Sequence, residues 1–148
     1  MNIRKAKTED ISRIAEILVF TKRVNYLPIF RDPDYSFNEL QVLKVAQAYS
    51  EPDVLDNVWV YDDGIVKGLI RISGEEVETL YVDTFFENNG IGGQLIEFAK
   101  ERFDVCFLWA LKKNTGALRF YERHGFVPNG EKKFEEGTTE YLIKLVRA

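Results

Sequence analysis

The stretch Glu76-Val77-Glu78-Thr79-Leu80-Tyr81-Val82-Asp83, followed by Thr84-Phe85-Phe86-Glu87-Asn88-Asn89-Gly90-Ile91-Gly92-Gly93 and then Gln94-Leu95-Ile96-Glu97-Phe98-Ala99-Lys100, decides the fold. It reads as an apolar strand from Val77 to Asp83, a polar glycine turn, and an amphipathic helix from Gly92 to about Arg102. Leu95, Ile96, Ala99 and Phe103 form the inner face of that helix. A helix opened by glycines leaves its first backbone N–H groups bare, and the helix dipole adds partial positive charge there. That combination seats an anion, usually phosphate.

Outward from this unit, Asn2 to Ala6 reads as a first strand and Thr8 as the N-cap of a helix, with Glu9 and Asp10 favourably placed for its dipole. Ile11, Ile14, Ala15 and Leu18 carry that helix to about Arg23, and Pro28 and Pro33 end its regularity. Ser36-Phe37-Asn38-Glu39 is a capping box that starts a second helix, with Leu40 and Leu43 on its buried stripe, fading near Pro52. Val58 to Tyr61 and Ile65 to Ser73 flank Asp62-Asp63-Gly64, a hairpin signal. Val105 to Leu111 is nearly all apolar, as befits a strand covered on both faces. Asn114 to His124 reads as a further helix closed by Gly125, and Phe134 to Glu136 and Thr139 to Val146 as an antiparallel pair. The order predicts one α/β domain over residues 1–148: a mixed, mostly antiparallel central sheet with helices on both faces.

The chain has 148 residues, of which 45% are hydrophobic, enough for a single packed core. A net charge of -4 argues against a dedicated nucleic-acid binder. The one cysteine, Cys106, excludes an intrachain disulfide and a cysteine-based zinc cage. Its apolar neighbours predict a buried, inert thiol. No signal peptide is read at Met1-Asn2-Ile3-Arg4-Lys5, and no apolar run approaches the ~20 residues of a membrane span. A soluble cytoplasmic protein is the expectation.

The glycine turn lacks the Gly-Lys-Ser/Thr of a P-loop, and Gly90-Ile91-Gly92-Gly93-Gln94-Leu95 has leucine where a dinucleotide fingerprint needs a third glycine. One strand further on lies Asn114-Thr115-Gly116-Ala117-Leu118-Arg119-Phe120-Tyr121-Glu122-Arg123-His124-Gly125-Phe126. Asn114 and Tyr121 are seven residues apart, two helical turns, so an amide and a phenol share one face.

These two segments together resemble the GNAT superfamily of N-acetyltransferases. Its Arg/Gln-x-x-Gly-x-Gly/Ala turn is matched by Glu87 to Gly92 except at the first position, and its second element by Asn114 and Phe120 to Phe126. The resemblance implies an acyl-CoA N-acyltransferase-like fold and transfer of acetyl from acetyl-coenzyme A to an amine without a metal. It implies that Asn88, Asn89, Gly90, Ile91, Gly92 and Gly93 bind the coenzyme pyrophosphate through backbone N–H groups. Leu80, Tyr81 and Val82 would pair with the pantetheine arm between splayed fourth and fifth strands. Asn114 would hold that arm, and Tyr121 would stand near the sulfur. Glu87 departs from the pattern and places a carboxylate near a pyrophosphate, so it either turns to solvent or weakens coenzyme binding.

Tyr121 is therefore expected to be the acid that protonates the leaving sulfur, with a backbone N–H at Val82 polarising the carbonyl. Alternation sets Glu76 and Glu78 on one strand face with Leu80 and Val82; both are candidate bases, and a water chain is the alternative. Trp109 stands where some relatives carry a fifth-strand glutamate. Arg119 and Arg123 are candidates for the ribose phosphate, and His124 for a helix C-terminal dipole partner. The aromatic segment Val24 to Tyr35 either walls the acceptor site or packs on the sheet. The acceptor is a small-molecule or peptide amine, with peptide N-termini, protein lysines, polyamines, amino acids and aminoglycosides all open. Thr139 to Val146 offers strands that could pair across a homodimer. The alternatives to an enzyme are a non-catalytic acyl-coenzyme A binding module or sensor, or a scaffold whose glycine turn binds nothing.

Overall fold

The structure, a computed structural model, describes residues 2–148. Seven strands form one sheet in the order β1-β2-β3-β4-β5-β7-β6. They are β1 Ile3–Lys5, β2 Val58–Asp62, β3 Val66–Ser73, β4 Glu76–Val82, β5 Phe107–Leu111, β6 Val127–Phe134 and β7 Tyr141–Val146. The β4–β5 pair is parallel and every other pair antiparallel. Among the described residues, five α-helices complete the fold: α1 Ile11–Phe30, α2 Val42–Tyr49, α3 Pro52–Leu55, α4 Ile91–Phe103 and α5 Thr115–Arg123.

Strand alternation divides the core. In β2, Val58 and Val60 face α1 and α2, where they meet Ile14, Ile17 and Leu18, while Tyr61 faces the opposite side. There Ile70, Ile72 and Val77 pack on Leu95, Ile96 and Ala99 of α4, and Leu118, Phe120 and Tyr121 of α5 cover the same layer. Helices thus cover both faces of a mostly antiparallel sheet, as expected. At Gly68 the sheet and α4 pack tightly: a Cβ there would lie 3.1 Å from Leu95 Cδ1 and 3.1 Å from the Tyr81 carbonyl oxygen.

Several local expectations give way to tertiary contacts. Thr8 lies in a short 3-10 turn, and it is Asp10 that accepts the Lys7 N–H at 2.8 Å while also binding Arg4. Helix α1 does not end before Pro28. It runs to Phe30, held by the edge-to-face pair of Tyr26 and Phe30, and is closed by Arg31 in the left-handed region with its N–H on Leu27 O at 2.8 Å. The Ser36 capping box does not form. Arg23 donates to the carbonyls of Ser36 and Leu40, drawing Tyr35–Glu39 into a wide turn closed by Leu40 N–H on Tyr35 O, so α2 begins only at Val42. Leu40 is buried as expected, but Leu43 is 77% exposed.

Strand β6 starts at Val127 rather than near Phe134, because an edge strand exposed along its whole length carries no apolar alternation to read. Strand β7 has β5 on one side and β6 on the other, so its edges are occupied and the expected strand pairing across a dimer through this segment has no free edge to use. Cys106 is partly exposed, not buried; its thiol donates to Glu75 at 3.2 Å, and that carboxylate raises the thiol's pKa and keeps it protonated. Among the described residues, no helix is long and apolar enough to cross a membrane, and no group of acidic, cysteine or histidine side chains is arranged to hold a metal.

Candidate functional site

The parallel pairing of β4 and β5 covers only Glu76 with Phe107 and Val77 with Leu108. Beyond Val77 the strands part, and a cleft opens between Leu80, Tyr81 and Val82 on one side and Trp109, Ala110 and Leu111 on the other. Asp83 N–H turns back to Lys67 O on β3 at 2.8 Å. By strand alternation, Val82 and Leu80 then direct their N–H and C=O toward the parted side. The Val82 carbonyl accepts Thr21 Oγ1 at 3.5 Å; backbone groups left without a strand partner along a cleft are an invitation to an extended ligand that completes the ladder.

The neck between the strands is narrow, about 190 Å³, whereas the groove over the glycine turn is about 650 Å³. The bulky end of a ligand therefore belongs at the turn, and only a slim arm fits between the strands. Asn88, at φ 65°, and Gly90, at φ 79°, shape the turn in the left-handed region. Ile91 anchors it in the core, and the N–H groups of Ile91, Gly92 and Gly93 form the uncapped first turn of α4. Asn88, Gly90, Ile91, Gly92 and Gly93 all line the groove; Asn89 lies beside them with its amide on Phe86 O at 3.2 Å. Glu87 is exposed and lines both cavities.

Asn114 and Tyr121 line the neck and the groove together. Asn114 caps α5, its carbonyl oxygen accepting Ala117 N–H at 3.3 Å, which leaves its own N–H donors for a ligand. Tyr121 is partly buried against the α4 layer and opens on the cleft. Burial, reinforced by nearby Tyr26, raises its pKa well above the usual phenol value, and no hydrogen bond contributes. It is thus an unengaged phenol, protonated throughout the neutral range, facing a cleft.

The two glutamates separate. Ile72 pairs with Val77 and Arg71 with Thr79, so Glu78 is the extra residue of a β-bulge. The bulge breaks the expected alternation: Val77, Leu80 and Val82 all pack on the α4 side, and Glu76 and Glu78 do not share a face with Leu80 and Val82. Glu78 lines the cleft and pairs with Arg71 at 2.9 Å. Glu76 sits at the closed end where β4 and β5 still pair. Burial, then the Glu78 charge, raises its pKa, against the opposing pull of Lys133 and Lys144.

The segment Val24 to Tyr35 is mostly helix, and it does reach the cleft. Asn25 and Tyr26 line the neck, and Tyr26 Oη lies 3.1 Å from Tyr81 Oη. An aromatic row continues from Tyr26 to Phe30 at 5.4 Å and to Tyr35 at 5.5 Å. Phe30 and Tyr35 border a second hollow with Asp32, Glu39, Glu135, Glu136 and Glu140. The acidic turn between β6 and β7 is not among the expected site residues; its signal in the sequence is Glu135-Glu136 followed by Glu140.

The family model for the acetyltransferase (GNAT) domain matches residues 55–128, half of the chain, which spans β2 through α5 and so both the splayed strands and the glycine turn. The chain belongs to the GNAT acetyltransferase family. It is 25% identical over 147 residues to the peptidyl-lysine N-acetyltransferase YjaB of Salmonella typhimurium, covering 99% of this chain and 97% of that protein. It is 31% identical over 102 residues to an uncharacterized N-acetyltransferase encoded in the pepI 3' region of Lactobacillus delbrueckii subsp. lactis, covering 55% of this chain but 59% of that relative's length. In fold it matches the solution structure of apo-form YjaB from Escherichia coli with a TM-score of 0.77 at 20% identity, over 99% of this chain and 96% of that one. It also matches PaiA N-acetyltransferase from Thermoplasma acidophilum, crystallised with coenzyme A, with a TM-score of 0.65 at 18% identity, over 97% of each chain.

Proposed function

We propose that this chain moves an acetyl group from acetyl-coenzyme A to a primary amine by direct attack. The observation that carries the reading is an unengaged phenol, Tyr121, facing a neck between two strands that part beside an uncapped glycine turn. The first N–H groups of α4 meet the pyrophosphate, the backbone of Leu80 and Val82 pairs with the pantetheine arm, and Asn114 steadies it. The amine nitrogen attacks the thioester carbonyl carbon; the C–N bond forms and the C–S bond breaks. Val82 N–H supports the carbonyl oxygen as negative charge develops there. Tyr121 gives its proton to the departing sulfur. The amine's proton leaves toward Glu78, the β4 carboxylate that lines the cleft, directly or through water; Glu76, at the closed end, is the more distant acceptor.

The acceptor enters past Tyr26 from the acidic hollow. Carboxylates at Asp32, Glu39, Glu135 and Glu136 attract a cation and repel an anion. That field favours an amine with further positive charge, such as a polyamine or a lysine in a basic peptide. The Salmonella relative is named for peptidyl-lysine, which is compatible.

A panel of amines assayed for thiol release from acetyl-coenzyme A tests this reading. Release with a cationic amine, abolished in Tyr121→Phe while the coenzyme still binds, is the expected result. Coenzyme binding with no release for any amine points instead to the non-catalytic sensor. No binding at all leaves only the fold.

A further inference from the structure

The glycine turn of this chain begins with a carboxylate, Glu87, so that position offers a diphosphate no cationic side chain. Against the turn stands the imidazole of His124, at the end of α5. A Cβ on Gly93 would lie 3.4 Å from His124 Cε1 and 3.5 Å from its Nε2, so the ring covers the glycine, and His124 lines the groove. The other ring nitrogen is committed: Nδ1 is 2.6 Å from Glu97 Oε2 on α4. Lys100 locks the arrangement, its Nζ 3.0 Å from Glu97 Oε2 and 2.9 Å from the His124 carbonyl oxygen. Phe120 stacks obliquely on the ring at 4.8 Å between centroids. The ring is thus oriented from α4 and α5 at once, with Nδ1 engaged by Glu97 and, among the described residues, no protein hydrogen bond on Nε2.

We propose that His124, oriented by Glu97, binds the coenzyme diphosphate as an imidazolium and takes up a proton when it does so. The proposal rests on the coenzyme reading above and deepens it. A carboxylate has no proton to give at neutral pH, so Nδ1 carries the hydrogen shared with Glu97. In the neutral ring that leaves Nε2 with a bare lone pair, which repels a phosphate oxygen. Protonation turns Nε2 into a charged donor, and two anions, Glu97 behind and the diphosphate in front, favour that state. The charged neighbours are Glu97 and Lys100 from α4, Arg123 from α5 and Glu87 from the turn. Arg123 adds attraction for the phosphate, and Glu87 subtracts from it. His124 thus replaces the positive or amide side chain that the turn lacks at Glu87.

The sign follows from linkage. A ligand that prefers the protonated ring binds best at low pH and loses affinity as pH rises, by at most tenfold per pH unit for one proton. The test is calorimetric titration of the whole protein with dephospho-coenzyme A, which keeps the diphosphate and lacks the ribose phosphate. Each titration is run at pH 6.5 and 8 in two buffers of different ionisation heat. The wild type is expected to take up a fraction of a proton and to bind several-fold more tightly at pH 6.5. His124→Gln should bind about tenfold more weakly at pH 6.5, with no uptake and a flat pH dependence. Glu97→Gln should keep the ring but reduce the uptake, an effect that a purely structural Glu97 would not produce. Equal affinity and equal uptake in His124→Gln and wild type would overturn the proposal while leaving the coenzyme site intact. Uptake seen with coenzyme A but not with its dephospho form would overturn the assignment to the diphosphate. Failure of the wild type to bind either coenzyme would overturn this proposal and the proposed function together.

Discussion

The Arg13 guanidinium lies 2.6 Å from the Asp83 carboxylate, tying α1 to the last residue before the glycine turn. Asp83 is buried, and its other oxygen accepts Phe85 N–H at 2.9 Å, capping the short turn Thr84–Phe86. One carboxylate thus sets both where β4 stops and how the chain approaches α4. Asp83→Ala removes the cap and leaves Arg13 without its partner. It should cost about 2 kcal/mol of stability and weaken coenzyme binding, measured by urea unfolding and by calorimetry. Unchanged affinity would mean that the glycine turn holds its shape without this anchor.

Tyr121→Phe removes the hydroxyl while keeping the ring. No hydrogen bond to the protein is lost, so stability should hold. kcat should fall by about a hundredfold or more, with coenzyme affinity unchanged. A variant as active as wild type would exclude Tyr121 as the acid.

Gly68→Ala should be destabilising by about 1–3 kcal/mol through overpacking. Its new methyl would meet Leu95 Cδ1, Ile91 Cγ2 and, less forgivingly, the Tyr81 carbonyl oxygen. Because Leu95 and Ile91 belong to α4, coenzyme binding should weaken as well. A thermal melt equal to wild type would show that the sheet and α4 part easily.

Alkaline pH should weaken the fold earlier than in a protein with exposed tyrosines. Burial raises the phenol pKa values of Tyr26, Tyr81 and Tyr121. A folded pKa above the unfolded one, near 10, means that the native state holds its proton more tightly. The associated stability is complete below about pH 10 and is lost as pH rises through the folded values. Urea midpoints compared between pH 8 and 10.5 should drop, and Tyr81→Phe should shrink that drop. An equal drop in the variant would place the alkaline sensitivity elsewhere.

The acidic hollow gives a test of acceptor class. Glu135→Gln combined with Glu136→Gln should lower kcat/KM for a linear polyamine by roughly threefold to tenfold. A monoamine without further charge should be little affected, and added salt should narrow the wild-type advantage. Equal losses for both acceptors would locate the effect in folding rather than in steering.

Much of this site was legible in the chain itself. The glycine turn is a local pattern, and Asn114 with Tyr121 follows from helical spacing alone, so both appear where the spacing predicts. The features that differ from the expectation rest on contacts or exposure that local periodicity does not carry. Arg23 reshapes the Ser36 turn from another helix. Tyr26, Phe30 and Tyr35 support each other across Pro28. The bulge at Glu78 reverses the face of two glutamates, because one extra residue shifts a period-two pattern. Edge strand β6 is exposed throughout and so leaves no hydrophobic signature.

The sequence by itself determined the α/β architecture, the position of the glycine turn and the face shared by Asn114 and Tyr121. Periodicity and glycine placement are written in neighbouring residues and need no partner to be read. Only the tertiary structure decided that the splay of β4 and β5 begins after Val77, that Glu78 rather than Glu76 reaches the cleft, and that Glu97 holds His124 against Gly93. Those relations join residues far apart in the chain, and packing brings them together through contacts that no local pattern encodes.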